Sequence, residues 1–356
     1  MKFSLFFEMQ LAAADATSEA QMFRDCVAQA ELAEATGYHA VWAVEHHGLY
    51  EYAHSAAPEV FLSFVAARTK RLRIGHGVTL LPHRYNHPIR IAERIATLDI
   101  LSEGRVNWGT GKSSSLVEQV AFETDRATLH EQWLEAVEII PRMWREEVFS
   151  YKGKFFDIAP TRIVPKPVQK PHPPIFVACS TPKATEDVGK LGFGALNFSF
   201  GNESETRSKV DAYRRGLDAA PADRHKAPWF ACAPVSLVLD DDLEACRYGL
   251  RGARFFTEGL RRYYAGTQRP DGHLPPLPTD DLDEDVVEAW AGDRNTPDAT
   301  LSSIVGDPVS ARETVSRFAK LGVDELILIM QLGTLPHEMI MRSIRTFAER
   351  VMPHFS

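Results

Sequence analysis

Cysteine and long apolar runs are both scarce in this sequence of 356 residues. The four cysteines lie far apart and form no C-x-x-C pair, which argues against a disulfide framework and is typical of a reducing, cytoplasmic compartment. No apolar run approaches the ~18 residues of a membrane-spanning helix. The apolar start, Phe3–Phe7, stops at Glu8, short of the ~7–15 apolar residues of a signal peptide. It therefore predicts a first buried strand.

Positive charge is also in deficit, with 40 Lys and Arg against 48 Asp and Glu and a formal net charge of −8. This balance argues against nucleic-acid binding, which needs a basic surface. The G-x-G-x-x-G fingerprint of nicotinamide binding is missing. Gly111-Lys112-Ser113 resembles the end of a P-loop, but Val106 stands where a P-loop requires glycine, so we reject an NTPase.

No metal site is predicted. His83 and His87 are four residues apart, a spacing that could bind a metal on a helix. Pro82 and Pro88 bracket them, and proline prevents a continuous helix there. The His-x-His pattern of metal-dependent hydrolase barrels is missing from the sequence.

What the sequence does contain is a regular alternation of apolar segments with helical patterns. The eight predicted strands are Phe3–Phe7, Ala40–Val44, Leu72–Leu81, Arg105–Gly109, Ile175–Ala178, Ala195–Phe198, Phe230–Leu239 and Glu325–Met330. Alternation implies parallel strands with helical crossovers. We therefore predict an α/β protein with a (β/α)8 TIM barrel and insertions after strands 4 and 7. An open doubly wound sheet with a second domain is the alternative.

Local signals predict where some helices begin. Ser18 with Gln21 predicts a capping box for the first helix, and Asn202 predicts the cap of the helix after the sixth strand. Leu243–Tyr263 is interpreted as the helix that follows the seventh strand.

Two segments interrupt the alternation within what we interpret as a single domain, residues 1–356. Residues 149–174 are rich in proline and predict an inserted hairpin and loop. Residues 265–304 hold several prolines and an acidic run at 280–285, and they predict an inserted acidic loop. A long segment of this kind is a candidate lid, with a solvated loop as the alternative.

Active sites of such barrels lie at the carboxyl ends of the strands. The second predicted strand runs into Glu45-His46-His47. Adjacent side chains on a strand point to opposite sides, so one histidine can enter the barrel mouth, where an imidazole can exchange a proton near neutral pH. Gly75 and Gly77 in the third strand indicate close approach of a ligand, with a simple bulge as the alternative.

Two further strand ends favour an anion. Gly111, Lys112 and neighbouring hydroxyls follow the fourth strand, and Cys179-Ser180-Thr181-Pro182-Lys183 follows the fifth. Hydroxyl residues before a proline predict a helix start, whose free N–H groups suit a phosphate. A well-capped helix without a ligand is the alternative.

These strand ends, in this order, resemble the bacterial luciferase and luciferase-like monooxygenase family. The resemblance covers nearly the whole chain except about 265–304. The segments that carry it are Met1–Phe3, Val41–His47, Leu80–Pro82, His87–Arg90, Leu98–Arg105, Pro173–Ala178, Gln331–Gly333, Leu335–Glu338 and Arg350–Pro353.

The resemblance implies a barrel that binds reduced flavin at the strand ends. His46 then matches the family's catalytic histidine, with Glu45 beside it. Gly77-Val78 matches a position where the family often has a cis peptide under the flavin rings. The other residues that the resemblance assigns to cofactor binding are Gly111, Lys112, Cys179, Ser180, Thr181, Lys183, Asn197 and Phe198. True luciferases have cysteine at Gly111 and arginine at Lys112, so light emission is not expected.

The implied function is a monooxygenase. A separate flavin reductase would supply reduced FMN, O₂ would add at the flavin C4a atom to form a peroxyflavin, and a small aldehyde or ketone would be oxygenated. A homodimer is implied as well. The alternatives are a deazaflavin-dependent hydride-transfer enzyme, a non-catalytic flavin-binding subunit, and a flavin-independent hydrolase barrel.

Overall fold

Eight parallel strands close into a barrel in the computed structural model, which describes residues 1–222, 229–264, 275–296 and 299–355. The barrel order is β1-β12-β9-β8-β7-β4-β3-β2. The strands are β1 (Lys2–Phe7), β2 (Ala40–Ala43), β3 (Arg73–Leu80), β4 (Val106–Gly111), β5 (Phe149–Lys152), β6 (Asp157–Thr161), β7 (Ile175–Ala178), β8 (Gly194–Phe198), β9 (Phe230–Ala233), β10 (Val235–Val238), β11 (Ser303–Gly306) and β12 (Glu325–Leu328). The predicted (β/α)8 TIM barrel is confirmed.

Helices surround the barrel, as alternation requires. They are α1 (Ala16–Ala35), α2 (Pro58–Arg68), α3 (Pro88–Leu101), α4 (Leu116–Ala121), α5 (Leu129–Arg145), α6 (Pro182–Lys190), α7 (Glu203–Asp218), α8 (Asp242–Tyr264), α9 (Glu284–Asp293), α10 (Pro308–Lys320) and α11 (His337–Arg350), followed by a 3-10 turn at Met352–His354. No helix in the described ranges is both long and apolar enough to cross a membrane.

Side chains alternate between the inside of the barrel and the helical layer, because successive strand residues point to opposite faces. Trp42 and Phe176 meet inside, with ring centroids 5.1 Å apart. The indole of Trp42 donates to the buried carboxylate of Glu325. Trp108 points outward and packs on Trp144 of α5. This alternation decides which strand-end residues can reach the mouth.

Of the two helix caps predicted from the sequence, one is wrong and the other is confirmed. The prediction of a Ser18–Gln21 capping box is wrong, because α1 begins three residues earlier. Asp15 is the N-cap and Ser18 occupies the third helical position, where the two side chains cap reciprocally. The prediction for Asn202 is confirmed, since its side chain accepts a hydrogen bond from the backbone of Glu205.

The first insertion carries a hairpin. Strands β5 and β6 pair antiparallel, and the chain then runs through a proline-rich stretch to β7. The carboxylate of Glu135 on α5 accepts backbone hydrogen bonds from Phe155 and Phe156. The hairpin is thereby fixed to the helix that precedes it.

The seventh unit departs from the prediction of one strand, Phe230–Leu239, followed by one crossover helix. Pro234 divides the segment, because proline has no N–H to donate. β9 stays in the barrel, while β10 pairs with β11 in a separate two-stranded sheet. Helix α8 is not the crossover, since α10 leads into the last barrel strand. Instead α8 crosses the carboxyl end of the barrel, where Phe256 packs on Phe198.

The second insertion lies along α8. Residues 265–274 and 297–298 are outside the described residues, so the predicted acidic loop at 265–304 is described only in part. That part contains helix α9, whereas the sequence predicted a loop there. Acidic residues of this segment face arginines of α8 in three ion pairs, Arg247–Glu284, Arg251–Asp281 and Arg254–Asp280.

Candidate active site

His46 lies just beyond β2, with its side chain in the mouth of the barrel. The residue is 9% exposed. Its Nδ1 atom is 2.8 Å from Oε1 of Glu118, and its Nε2 atom is 2.9 Å from the hydroxyl of Tyr264. The second oxygen of Glu8 is 3.8 Å from Nε2. Both ring nitrogens therefore have partners from elements distant in sequence.

Glu118 is held in place by a short helix that the sequence did not predict. The carboxylate sits on α4 and is fully buried. Besides His46, it accepts hydrogen bonds from the backbone N–H of His47 at 3.0 Å and from the hydroxyl of Ser113 at 2.7 Å. Ser113 has a φ of 67°, a left-handed conformation rarely adopted by residues other than glycine. The loop after β4 is thus shaped to bring Glu118 to His46.

Charge decides the protonation of this cluster. Burial alone lowers the pKa of His46, but Glu118, Glu8 and Glu45 outweigh it and raise the pKa to about 9. Burial acts against ionised Glu118 as well, yet His46 and the donated hydrogen bonds bring its pKa below the ordinary value. At neutral pH the pair is an imidazolium with a carboxylate.

Glu8 is the third acid of the mouth. Burial raises its pKa to about 7, although His46 and the Tyr52 hydroxyl act in the opposite direction. Tyr52 donates to one carboxylate oxygen at 3.2 Å, and the other oxygen has no hydrogen-bond partner among the described residues. Glu8 can therefore hold or release a proton near neutrality.

Glu45 and His47 point to the other side of the strand from His46. The carboxylate of Glu45 accepts hydrogen bonds from the backbone of Leu80 at 2.8 Å and from the side chain of Asn86 at 2.7 Å. His47 packs on Phe122, with ring centroids 4.7 Å apart. Glu45 thus fixes the end of β3 from outside the mouth, and its predicted catalytic role remains untested.

The predicted flavin positions on β3 and β4 meet inside the barrel. The peptide bond between Gly77 and Val78 is cis. A Cβ atom at Gly111 would lie 2.5 Å from Val78 Cγ2, and one at Gly77 would lie 3.3 Å from the ring of Phe6. Both glycines are needed for this close approach. With Val78 they form an apolar cradle on β3 and β4, the two strands that come next to β2 in the barrel, and a flat ring system fits such a surface.

The predicted phosphate residues lie at the surface. Lys112, Ser180, Thr181 and Lys183 are all exposed. Thr181 caps α6 by accepting from the backbone of Ala184 at 3.2 Å, so the cap signal is confirmed. Lys183 pairs with Asp187 of its own helix at 2.5 Å. Contact of these residues with a phosphate stays a prediction.

Cys179 and Asn197 turn away from the mouth, in contrast to Phe198. The amide nitrogen of Asn197 is 3.7 Å from the sulfur of Cys179, which lies 3.6 Å from the hydroxyl of Thr185 on α6. This cluster lies between the barrel and its helices. Asn197 therefore points away from the mouth and Phe198 points into it, 5.8 Å from Phe6, and contact of either residue with a cofactor stays a prediction.

The sequence matches the family described as luciferase-like monooxygenase over residues 1–325. The chain belongs to this family. It is therefore an enzyme of the luciferase-like oxidoreductase class, as the resemblance implied. Among solved structures, the monooxygenase RslO1 from Streptomyces bottropensis is similar over 100% of both chains, with 27% identity and a TM-score of 0.84.

Curated relatives within the luciferase-like family use two kinds of cofactor. The oxygenase component of flavin-dependent trigonelline monooxygenase from Acinetobacter baylyi is 31% identical over 52% of this chain and 51% of its own. F420-dependent hydroxymycolic acid dehydrogenase from Mycobacterium tuberculosis is 35% identical over 62% of this chain and 61% of its own. The chain spans about half to three fifths of these relatives.

Several residues of this luciferase-like site were not predicted from the sequence. Glu118, Glu8 and Tyr264 join His46 from three separate elements. Glu8 had a usable signal, because alternation along β1 from Ser4 through Phe6 points it inward. Among the residues that the structure describes, no group of three metal-binding side chains occurs.

Proposed function

We propose that this protein is an FMN-dependent monooxygenase that receives reduced FMN from a separate flavin reductase and uses O₂ to oxygenate a small organic substrate such as an aldehyde or ketone. The observation that carries the proposal is the buried His46 held between Glu118, Glu8 and Tyr264. The cradle of Gly77, Val78 and Gly111 lies on β3 and β4, beside the strand that leads to His46. A proton donor and a seat for flat rings therefore share one mouth.

The chain's own residues suit the cofactor. The cradle and the rings of Phe6 and Phe198 offer apolar surface, and a phosphate group would be bound by the amino end of α6 with Lys112 and Lys183. Helix N-termini attract anions through their free N–H groups and dipole. Reduced FMN, when bound, would supply the two electrons that allow O₂ to react with an organic molecule.

His46 and its neighbours would manage protons during the reaction. Glu118 fixes the imidazole through Nδ1 and keeps it charged, so that Nε2 carries a proton at working pH. Glu8 has a pKa of about 7 and can take up or release a second proton. Helix α8, the Phe6 and Phe198 rings and the cradle exclude water from the mouth, which protects reactive species from hydrolysis.

An F420-dependent hydride-transfer enzyme is the second candidate. The 35% identity to F420-dependent hydroxymycolic acid dehydrogenase favours it. A protonated histidine beside a flat ring also serves transfer of a hydride, because the alcohol or ketone partner must lose or gain a proton. Cofactor identity separates the two candidates, since only the first needs O₂.

Anaerobic titration of the purified protein with reduced FMN, and separately with reduced F420, tests the proposal. We expect binding of reduced FMN, and slower return of oxidised-flavin absorbance after O₂ is admitted than for free FMN. Replacing His46 by Ala should change that rate, whereas replacing the exposed His130 by Ala should not. Tight binding of F420 alone would support the second candidate. If the protein binds flavin but the His46→Ala substitution leaves the rate unchanged, the protein would be a non-catalytic subunit.

We also propose that the protein is a homodimer through α2 and α3. The ion pair Arg94–Glu59, at 2.6 Å, joins these helices. The same two helices carry Val60 and Phe64 on α2 and Leu101 at the end of α3, which are 57–67% exposed. Exposed apolar strips of this kind mark protein interfaces. We expect Phe64→Glu to give a monomer in sedimentation velocity, while Val309→Glu on the exposed face of α10 leaves the dimer intact.

A further inference from the structure

His46 has no ring nitrogen directed freely into the mouth. Nδ1 is engaged by Glu118 and Nε2 by the hydroxyl of Tyr264. The other groups that face the ring are Glu8 and the ring of Tyr52, whose centroid is 6.2 Å away. A proton that passes between Nε2 of His46 and a bound molecule therefore passes Tyr264, which is in hydrogen-bond contact with it, or Glu8, which lies farther away at 3.8 Å.

Tyr264 is the last residue of α8, the helix that crosses the mouth. Phe256, two turns earlier on the same helix, packs on Phe198 inside the mouth. Tyr264 itself is half-buried, and its ring meets that of His46 edge to face at 5.9 Å. The end of the helix thus places a hydroxyl group at His46, within the same site.

The direction of the hydrogen bond follows from the proton count. A charged imidazole has hydrogen on both nitrogens, so Nε2 donates and the oxygen of Tyr264 accepts. The phenol keeps its own hydrogen, because burial raises the pKa of Tyr264 well above its ordinary value. That hydrogen points away from His46, and no acceptor for it is recorded among the described residues. Within the described part of the chain, it is available to a molecule bound in the mouth.

We propose that Tyr264 is a further catalytic residue, whose hydroxyl donates the proton to the reacting group and is reprotonated by Nε2 of His46. This inference rests on the proposed function. In the overall reaction, one atom of O₂ enters the substrate and the other leaves as water, while reduced FMN supplies two electrons. When the flavin is bound as its anion, the formation of water requires one proton from the protein. Tyr264 supplies that proton, and His46 becomes neutral until it recovers one from solvent.

The test compares Tyr264→Phe with Tyr248→Phe, a matched change on the same helix outside the site. The first readout uses no cofactor: ¹⁵N NMR of the histidine side chains in the full-length protein. We expect Tyr264→Phe to shift the Nε2 resonance of His46 while its Nδ1 resonance stays in place, and Tyr248→Phe to shift neither. Unchanged His46 resonances in Tyr264→Phe would overturn the proposal.

The second readout is the reaction of bound reduced FMN with O₂, followed in H₂O and D₂O. General acid catalysis contributes on the order of 10²–10⁴-fold to a rate. We therefore expect Tyr264→Phe to lower the rate of the reaction with O₂ at least tenfold and to lose the solvent isotope effect. The variant should bind reduced FMN as the wild type does. Equal rates and isotope effects in both variants would overturn the role of Tyr264 alone. Failure of the wild type to bind reduced FMN would overturn the proposed function and this inference with it.

Discussion

His46 and His76 are both buried and lie on neighbouring strand segments, but their pKa values are shifted in opposite directions. Burial lowers the pKa of each ring. At His46 the carboxylates of Glu118, Glu8 and Glu45 reverse this effect and raise the pKa to about 9. At His76 burial dominates and the pKa falls to about 4, since the attraction of Glu59 is opposed by Arg94.

The two faces of the barrel wall explain the difference. His46 points into the mouth, where acids from β1 and α4 meet it. His76 points into the helical layer, where its Nε2 atom has no partner among the described residues. A buried charge is costly unless it is paired, so the outer histidine stays neutral. The ionised inner histidine indicates where this fold performs chemistry.

Replacing Glu118 by Gln should remove most of the pKa difference between His46 and His76. The variant leaves His46 buried without its main counter-charge, so we expect the pKa of His46 to fall below neutrality. Removing one partner of a buried pair costs roughly 3–5 kcal/mol, and flavin-dependent turnover should fall by about 10²-fold or more. ¹⁵N NMR titration, urea unfolding and O₂ consumption measure the three effects.

The matched control for this change is Glu123→Gln, just after the same short helix, whose side chain is 79% exposed. It should change neither stability nor turnover. A Glu118→Gln variant in which His46 still titrates near pH 9 would show that other groups charge the ring.

The pH dependence of stability separates the two histidines. The pKa of His46 is raised from 6.5 to about 9, so its contribution is complete below pH 6.5 and is lost as the pH rises to 9. The pKa of His76 is lowered to about 4, so its contribution is present above pH 6.5 and is lost as the pH falls to 4. Each shift corresponds to a few kcal/mol.

Urea unfolding of the wild type across pH 4–9 should therefore show stability falling at both ends. We expect His76→Gln to flatten only the acid end, and only in part because burial also lowers the pKa of His39 to about 4. We expect His46→Gln to flatten only the alkaline end. Flattening of the same end by both variants would contradict the assignment of charge to the inner face.

A smaller effect should follow from filling the cradle on β3 and β4. Gly111→Ala places a methyl group 2.5 Å from Val78 Cγ2, so the side chain of Val78 or the strand that carries it must shift. We expect reduced FMN to bind about tenfold more weakly, equivalent to about 1.4 kcal/mol. Fluorescence titration measures it, with Gly292→Ala as control because nothing lies within 4 Å of a Cβ at that position. Equal affinities would remove the cradle from the binding site.

The smallest expected effect on FMN binding is that of the exposed lysines Lys112 and Lys183, which lie at the rim of the mouth. Exposed charges contribute up to about 1 kcal/mol each. We expect the double variant Lys112→Ala/Lys183→Ala to bind reduced FMN several-fold more weakly. Its binding of reduced riboflavin, which has no phosphate, should be unchanged. Lys152→Ala, in the hairpin, is the control. Equal weakening of both flavins would place the phosphate elsewhere.

The fold could be predicted from the sequence because each barrel strand is a short apolar run with its own turn signals. His46 could be predicted because it ends such a strand. The seventh unit could not, since Pro234 divides one continuous apolar run between two sheets and α8 looks like any crossover helix. Its apolar stripe faces the mouth rather than the barrel wall, and periodicity cannot tell these surfaces apart.

The partners of His46 were missed for a different reason. Glu8, Glu118 and Tyr264 are 38, 72 and 218 residues from it, and only closure of the barrel brings them together. The six-residue helix that carries Glu118 is too short to give a clear helical period. Alternation along a strand assigned the two histidines correctly to opposite faces, but it could not reveal which acids lie opposite.

Helix α8 and the segment clamped to it by arginine–acid pairs form a roof that closure of the barrel does not require. The strands would meet without it, because α10 alone leads back to the last strand. Mutations in the roof can therefore reshape the space above the cradle while the barrel keeps its stability. Within a family that acts on varied molecules, this division allows selectivity to diverge while His46, Glu8 and Glu118 keep their places, as long as Tyr264 at the end of α8 is retained.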